Sequence, residues 1–125
     1  MQQQNFWLLS YDLDTDAMKG ASVTPQTIYN HVRQPWLTEG FKKLQNSVYQ
    51  LEDGDDAIRA IQTAFMAMEE NDVRRYISSM ILKGPTGEQH NLLEILDRRQ
   101  AERLESEKFL RGMLARIAAH GGQGG

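Results

Sequence analysis

The chain has 125 residues, 40% of them hydrophobic and 25% charged, a composition that suits one globular domain with an appendage. A net charge of −3 argues against the basic surface of a duplex-DNA binder; with no cysteine, disulfides, thiolate metal sites and cysteine nucleophiles are excluded, and His31, His90 and His120 are too scattered for a metal cage. No window approaches the roughly 18 apolar residues of a membrane span, and Met1-Gln2-Gln3-Gln4-Asn5 lacks the positive start of a secretory signal, so a cytoplasmic protein is expected.

Phe6-Trp7-Leu8-Leu9-Ser10-Tyr11 is an apolar, aromatic run that predicts a buried strand ending at the acidic cluster Asp12-Leu13-Asp14-Thr15-Asp16. Thr24-Pro25 predicts a helix start, followed by Ile28, Tyr29, Val32 and Trp36 at helical spacing. Pro35 removes a backbone donor, so this helix is expected to kink there, or to end and restart before Gly40. From Phe41 to Leu51 a period-two pattern predicts a second strand, with Leu44 and Val48 on one face and Gln45, Ser47 and Tyr49 on the other. Asp53-Gly54-Asp55 then leads into a helix capped by Asp55 or Asp56, with Ala57, Ile58, Ile61, Ala64, Phe65 and Met68 as one apolar stripe.

Tyr76 to Leu82 predicts a further strand, Ile77 and Ile81 facing opposite Tyr76, Met80 and Leu82. Gly84-Pro85-Thr86-Gly87 lacks the glycine spacing and the lysine of a P-loop and is read as a turn. This order predicts an α+β sandwich of ferredoxin-like βαββαβ type over residues 1–87. Its fourth strand must come from a bend near Val48 to Leu51 or from a partner subunit. Leu92, Leu93, Leu96, Leu104, Leu110, Met113, Leu114 and Ile117, spaced through a charged middle, predict a long helical extension over 88–120 that packs its ends. Residues 121–125, Gly-Gly-Gln-Gly-Gly, are expected to form a flexible tail.

Asp12 and Asp14 share a face if the first strand continues and meet solvent if it does not, and either geometry can hold a hard cation such as Mg²⁺. The competing reading of such a cluster is a helix cap or turn former. Ser47 and Tyr49, in a polar stretch with Gln45, can position a phosphate or ribose, or form a cross-strand hydroxyl pair. No His or Lys adjoins Ser47 to activate it, so serine-hydrolase chemistry is not expected. Lys42-Lys43 and Arg74-Arg75 can neutralise a nucleic-acid backbone locally, or be solvated surface charge; Lys43, Gln45, Arg74 and Arg75 are the candidate substrate-binding residues. The stretch Phe65-Met66-Ala67-Met68, and Trp7 and Trp36, are read as packing residues.

Phe6-Trp7-Leu8-Leu9-Ser10-Tyr11-Asp12-Leu13, followed after a helix by Gly40-Phe41 and then Gln45-Asn46-Ser47-Val48-Tyr49, resembles the virulence-associated protein D family and the related small CRISPR-associated integration proteins. The resemblance covers residues 5 to 83. It implies a ferredoxin-like fold, a homodimer that faces two copies of Asp12 across a cleft, and Ser47 and Tyr49 in the second motif. It further implies an endoribonuclease of toxin type, with Asp12 as metal ligand or general base and Mg²⁺ as cofactor. The competing expectation is a non-catalytic dimeric module that docks a protein partner, such as an antitoxin or a larger nucleic-acid assembly, through the C-terminal helix.

Overall fold

The structure is a computed structural model and describes residues 5–123; Met1 to Gln4, and Gly124 and Gly125 of the expected tail, lie outside the described residues. The chain divides into two compact units, Met1–Leu93 and Glu94–Gly125. The first unit is α+β. Its sheet has five strands, all paired antiparallel in the order β2-β3-β1-β4-β5. These are β1 Phe6–Leu13, β2 Lys42–Gln45, β3 Val48–Glu52, β4 Ile77–Lys83 and β5 Gln89–Asn91. Helices α1 Thr15–Gly20 and α2 Pro25–Thr38 connect β1 to β2, and α3 Ala57–Glu70 with a 3₁₀ turn at Arg74–Tyr76 connects β3 to β4. Helix α4, Leu92–Gln123, begins in the first unit and supplies the second. Among the described residues no helix is long and apolar enough to cross a membrane.

Alternation along β1 divides the sheet into a buried and an open face. Trp7, Leu9 and Tyr11 are buried, and register places Tyr49, Met80 and Leu82 beside them. Together with Ile28, Val32 and Trp36 of α2 and Ile61, Ala64, Phe65 and Met68 of α3, they form the core. Ile58, expected in the α3 stripe, is 52% exposed, because it lies off the stripe that faces the sheet. The other sheet face carries Leu8, Ser10 and Asp12 with Val48, Gln50, Ser79 and Ile81, all half-buried or exposed.

Pro35 neither breaks α2 nor restarts it. The helix runs through it to Thr38, and the His31 carbonyl, which loses its usual intrahelical donor, accepts instead from Asn71 Nδ2 at the end of α3, at 3.0 Å. The helix ends on a Schellman motif: Gly40 has φ of 104°, its N–H donates to Leu37 O, and Phe41 N–H donates to Trp36 O. The apolar contact that accompanies this motif is the edge-on packing of Phe41 against Trp36, 5.2 Å between ring centres.

The expected strand from Phe41 to Leu51 is a hairpin. Asn46 and Ser47 form its two-residue turn, and Leu44 is bulged out of the ladder, since Lys43 opposes Tyr49 and Gln45 opposes Val48. The bulge leaves Leu44 without a partner in the ladder and 52% exposed, so it does not alternate in register with Val48. A second bulge corrects β4. Asp12 opposes Ser79 and Leu13 opposes Ile77, so Ser78 is the extra residue and Ile77 is buried with Met80 and Leu82 rather than opposite them.

Gly84-Pro85-Thr86-Gly87 is a turn, as expected: Gly87 N–H donates to Gly84 O, and Gly87 takes a φ of 91°. It leads into β5, which the sequence reading did not anticipate, so the boundary expected at residue 87 falls inside a β4–β5 hairpin. In α4, Leu92, Leu93 and Leu96 are buried. The expectation that its far end also packs is corrected, because every residue from 97 to 119 is exposed. The helix continues through Gln123, into the segment expected to be a tail.

Candidate functional site

Antiparallel pairing gathers the expected site residues at one end of the sheet. The C-terminal end of β1 brings Asp12, the β2–β3 turn brings Asn46 and Ser47, and the 3₁₀ turn before β4 brings Arg74 and Arg75. Backbone bonds tie these segments: Tyr11 N–H donates to Ser47 O at 3.1 Å, and Asp14 N–H donates to Tyr76 O at 2.7 Å.

Asp12 stands exposed on the open face. Its Oδ2 accepts from Ser79 Oγ at 3.3 Å, and its backbone carbonyl accepts from Ser78 Oγ at 3.2 Å. The bulge at Ser78 puts two serines against this one residue, which holds the carboxylate in place while leaving it open to solvent. Asp14 has a different task. It is the N-cap of α1, with Oδ1 accepting from Ala17 N–H at 3.1 Å, which is the cap reading of the cluster.

Tyr49 does not lie on a polar face. It is fully buried opposite Leu9, on the side of the sheet away from Asp12, and stacks on Tyr11 with ring centres 5.8 Å apart. The two hydroxyls are 3.2 Å apart, and Tyr49 donates to Asn46 O at 3.1 Å, so the cross-strand hydroxyl pair is what the residue forms. Burial, reinforced by the Tyr49 hydroxyl, holds the Tyr11 proton far above the ordinary tyrosine range, which removes Tyr11 as a base. Ser47 sits in the turn, half-buried, rather than in mid-strand.

Lys43 and Gln45 are exposed on edge strand β2. Arg74 Nη1 donates to Ile77 O at 3.1 Å, and the Arg75 guanidinium lies 5.6 Å from the centre of the Tyr76 ring. Both arginines are therefore at the Asp12 end of the sheet, each with a partner there.

Sequence reading missed a second group. Gln26, Tyr29 and Arg33 of α2, with Asn46 of the turn, line a pocket of about 100 Å³. The signal was the spacing of Gln26, Tyr29, Asn30 and Arg33, three or four residues apart on one helix face. Asn30 Oδ1 accepts from both Gln26 Nε2, at 3.2 Å, and Arg33 Nη2, at 2.6 Å, which holds the two donors as a pair.

Among the described residues no three His, Cys, Asp or Glu side chains form a metal-holding group. Among the described residues, Asp12 is the exposed carboxylate of this site, and Asp14 beside it already accepts one bond as a cap. That donor set suits a hard cation that keeps most of its water and takes one or two carboxylates, such as Mg²⁺. It does not suit zinc, which needs several nitrogen or sulfur ligands. Comparison with known proteins returns no matching family model and no matching curated protein.

Proposed function

We propose that this chain is a metal-assisted endoribonuclease of toxin type, acting in the cytoplasm as a homodimer on a ferredoxin-like scaffold, with Asp12 as its reactive carboxylate. The observation that carries this reading is the Asp12 carboxylate, exposed at the end of the central strand and steadied by Ser79. The scaffold assignment is supported by β1 lying between β3 and β4, with helices in both crossovers. The resemblance to the virulence-associated protein D family supplies the substrate and the dimer.

In this chemistry a water oxygen attacks the phosphorus of an RNA phosphodiester and the bond to the leaving oxygen breaks. Asp12 takes the proton of the attacking water, and solvent protonates the leaving oxygen. Bound Mg²⁺ supplies Lewis-acid polarisation of a phosphoryl oxygen and an acidified water. Of the two Asp12 carboxylates in a dimer, one would hold it while the other takes the proton. Ser79 keeps the carboxylate oriented, and Arg74, Arg75 and Lys43 supply positive charge at that end of the sheet.

The test is cleavage of a mixed-sequence RNA with Mg²⁺ or EDTA. Wild type should cleave only with Mg²⁺, and Asp12→Asn, folded and of unchanged mass in solution, should lose at least roughly a hundredfold of the rate. Unchanged cleavage by Asp12→Asn would sink the proposal.

A second reading rests on α4. Phe109, Leu110, Met113, Leu114 and Ile117 are all exposed and fall on one side of the helix. In this reading the chain is an interaction module and α4 docks a protein partner such as an antitoxin. Replacing Leu110 and Leu114 with lysine should abolish co-purification of that partner without changing the thermal midpoint.

A further inference from the structure

The pocket lined by Gln26, Tyr29, Arg33 and Asn46 offers donors, and its one charged group is a cation. We propose that it binds a phosphate group of a single-stranded RNA, a backbone contact that works alongside Asp12; this rests on the nuclease reading and deepens it.

The four side chains reach the pocket from two rigid supports. Gln26, Tyr29 and Arg33 stand on successive turns of α2, and Asn46 stands on the β2–β3 turn. The turn is fixed from below, because the buried Tyr49 hydroxyl donates to the Asn46 carbonyl and Tyr11 N–H donates to Ser47 O. The Asn46 carbonyl is thus tied to the buried tyrosines below the turn. Asn30 accepts one bond each from Gln26 and Arg33, so both are held in place while the rest of the guanidinium fork faces the pocket. The Tyr29 hydroxyl and the Asn46 side-chain amide have no hydrogen-bond partner among the described residues.

No carboxylate lines the pocket, and the first turn of α2 contains no acidic residue to offset the positive end of the helix. The Arg33 charge reaches inward as well, since it opposes the effect of burial on the Tyr11 hydroxyl. A planar guanidinium with two carboxamides and a phenol matches a tetrahedral oxyanion, and a pocket of about 100 Å³ has room for one phosphate group. Backbone hydrogen bonding places this pocket at the Asp12 end of β1: the turn that carries Asn46 is bonded to Tyr11, the residue before Asp12. The pocket lies on the helix-covered side of the sheet, where Tyr29 meets Tyr11, and Asp12 on the open side at the same end, so a strand held here by one phosphate would have to pass around that end to reach Asp12.

The experiment measures binding of a labelled single-stranded RNA to the full chain carrying Asp12→Asn, so that cleavage does not interfere. Titrations are run over a range of salt for that protein and for versions that add Arg33→Gln, Arg33→Lys or Tyr29→Phe. Arg33→Gln should raise Kd by roughly tenfold or more and reduce the salt slope by about 0.7. Arg33→Lys should restore the slope but only part of the affinity, and Tyr29→Phe should weaken binding by a few-fold with the slope unchanged. Inorganic phosphate should compete with the RNA in the Arg33 protein and not in Arg33→Gln, which separates the pocket from general surface attraction. Unchanged Kd and slope in a folded Arg33→Gln protein would overturn the proposal. Arg33-dependent binding without cleavage by wild type would leave the pocket standing and remove the nuclease reading. Asp12-dependent cleavage with Arg33-independent binding would do the reverse.

Discussion

Helices α3 and α4 carry comparable apolar residues at helical spacing, yet their surroundings differ. In α3, Ala57, Ile61, Ala64, Phe65 and Met68 are buried. In α4, Phe109, Leu110, Leu114 and Ile117 are between 49% and 63% exposed. Periodicity therefore specifies which side of a helix is apolar, and only the tertiary structure specifies whether anything covers it. The contrast is open to direct test because burial converts into stability through lost contacts, whereas exposure does not.

The largest effect is expected in α3. Met68 is 1% exposed, so Met68→Ala should lower unfolding free energy by about 2–5 kcal/mol, read by urea titration. A loss below about 1 kcal/mol would show that α3 packs more loosely than its burial indicates.

The same distinction explains what was legible in the sequence. The Gly84-Pro85-Thr86-Gly87 turn was readable because Gly87 needs a positive φ and Pro85 presets φ at the second position of the turn. The Asn46–Ser47 turn was not, because neither residue takes a positive φ and both flanks keep strand character, so a second strand was left to a bend near Val48 to Leu51 or to a partner, and the bend falls instead at Asn46–Ser47. Each β-bulge shifts the inside–outside alternation by one residue, and no local signal marks Leu44 or Ser78 as the extra one. At the candidate site, Asp12 at the end of β1 was legible from its place after an apolar run. Asp14 as a cap was one of two open readings, and the inward turn of Tyr49 was hidden by the unanticipated Asn46–Ser47 turn, which breaks the alternation read from Gln45 to Tyr49.

A second test probes the buried tyrosine pair, which distinguishes the covered face of the sheet from the open one. Tyr11 keeps its proton to well above the ordinary value because burial disfavours the phenolate. Below about pH 10 the folded and unfolded chains both hold this proton. Above it the unfolded chain releases the proton first and binds fewer, so stability falls as pH rises. Tyr11→Phe should flatten that alkaline decline while lowering stability at neutral pH through the lost hydroxyl contact with Tyr49. Equal alkaline slopes for the two proteins would break the assignment.

A smaller effect is expected where α3 supports α2. Asn71 supplies the donor that Pro35 cannot, so Asn71→Ala should cost about 1 kcal/mol. In the Pro35→Ala background, position 35 again has an N–H for the His31 carbonyl, and Asn71→Ala should cost less. Equal losses in both backgrounds would separate the two residues.

The smallest effect is expected in α4, and it sharpens the opening contrast most. Leu114 is 60% exposed, so Leu114→Ala removes little buried area and should change the unfolding free energy by less than about 0.5 kcal/mol at low protein concentration. The informative variable is concentration. If α4 is a docking helix for a second copy or for a protein partner, the bound state buries Leu114, and the wild-type midpoint should rise with copy or partner concentration while that of Leu114→Ala rises less. If the two midpoints stay parallel at every concentration, α4 remains uncovered in solution, and its apolar side differs from that of α3 in function as well as in burial.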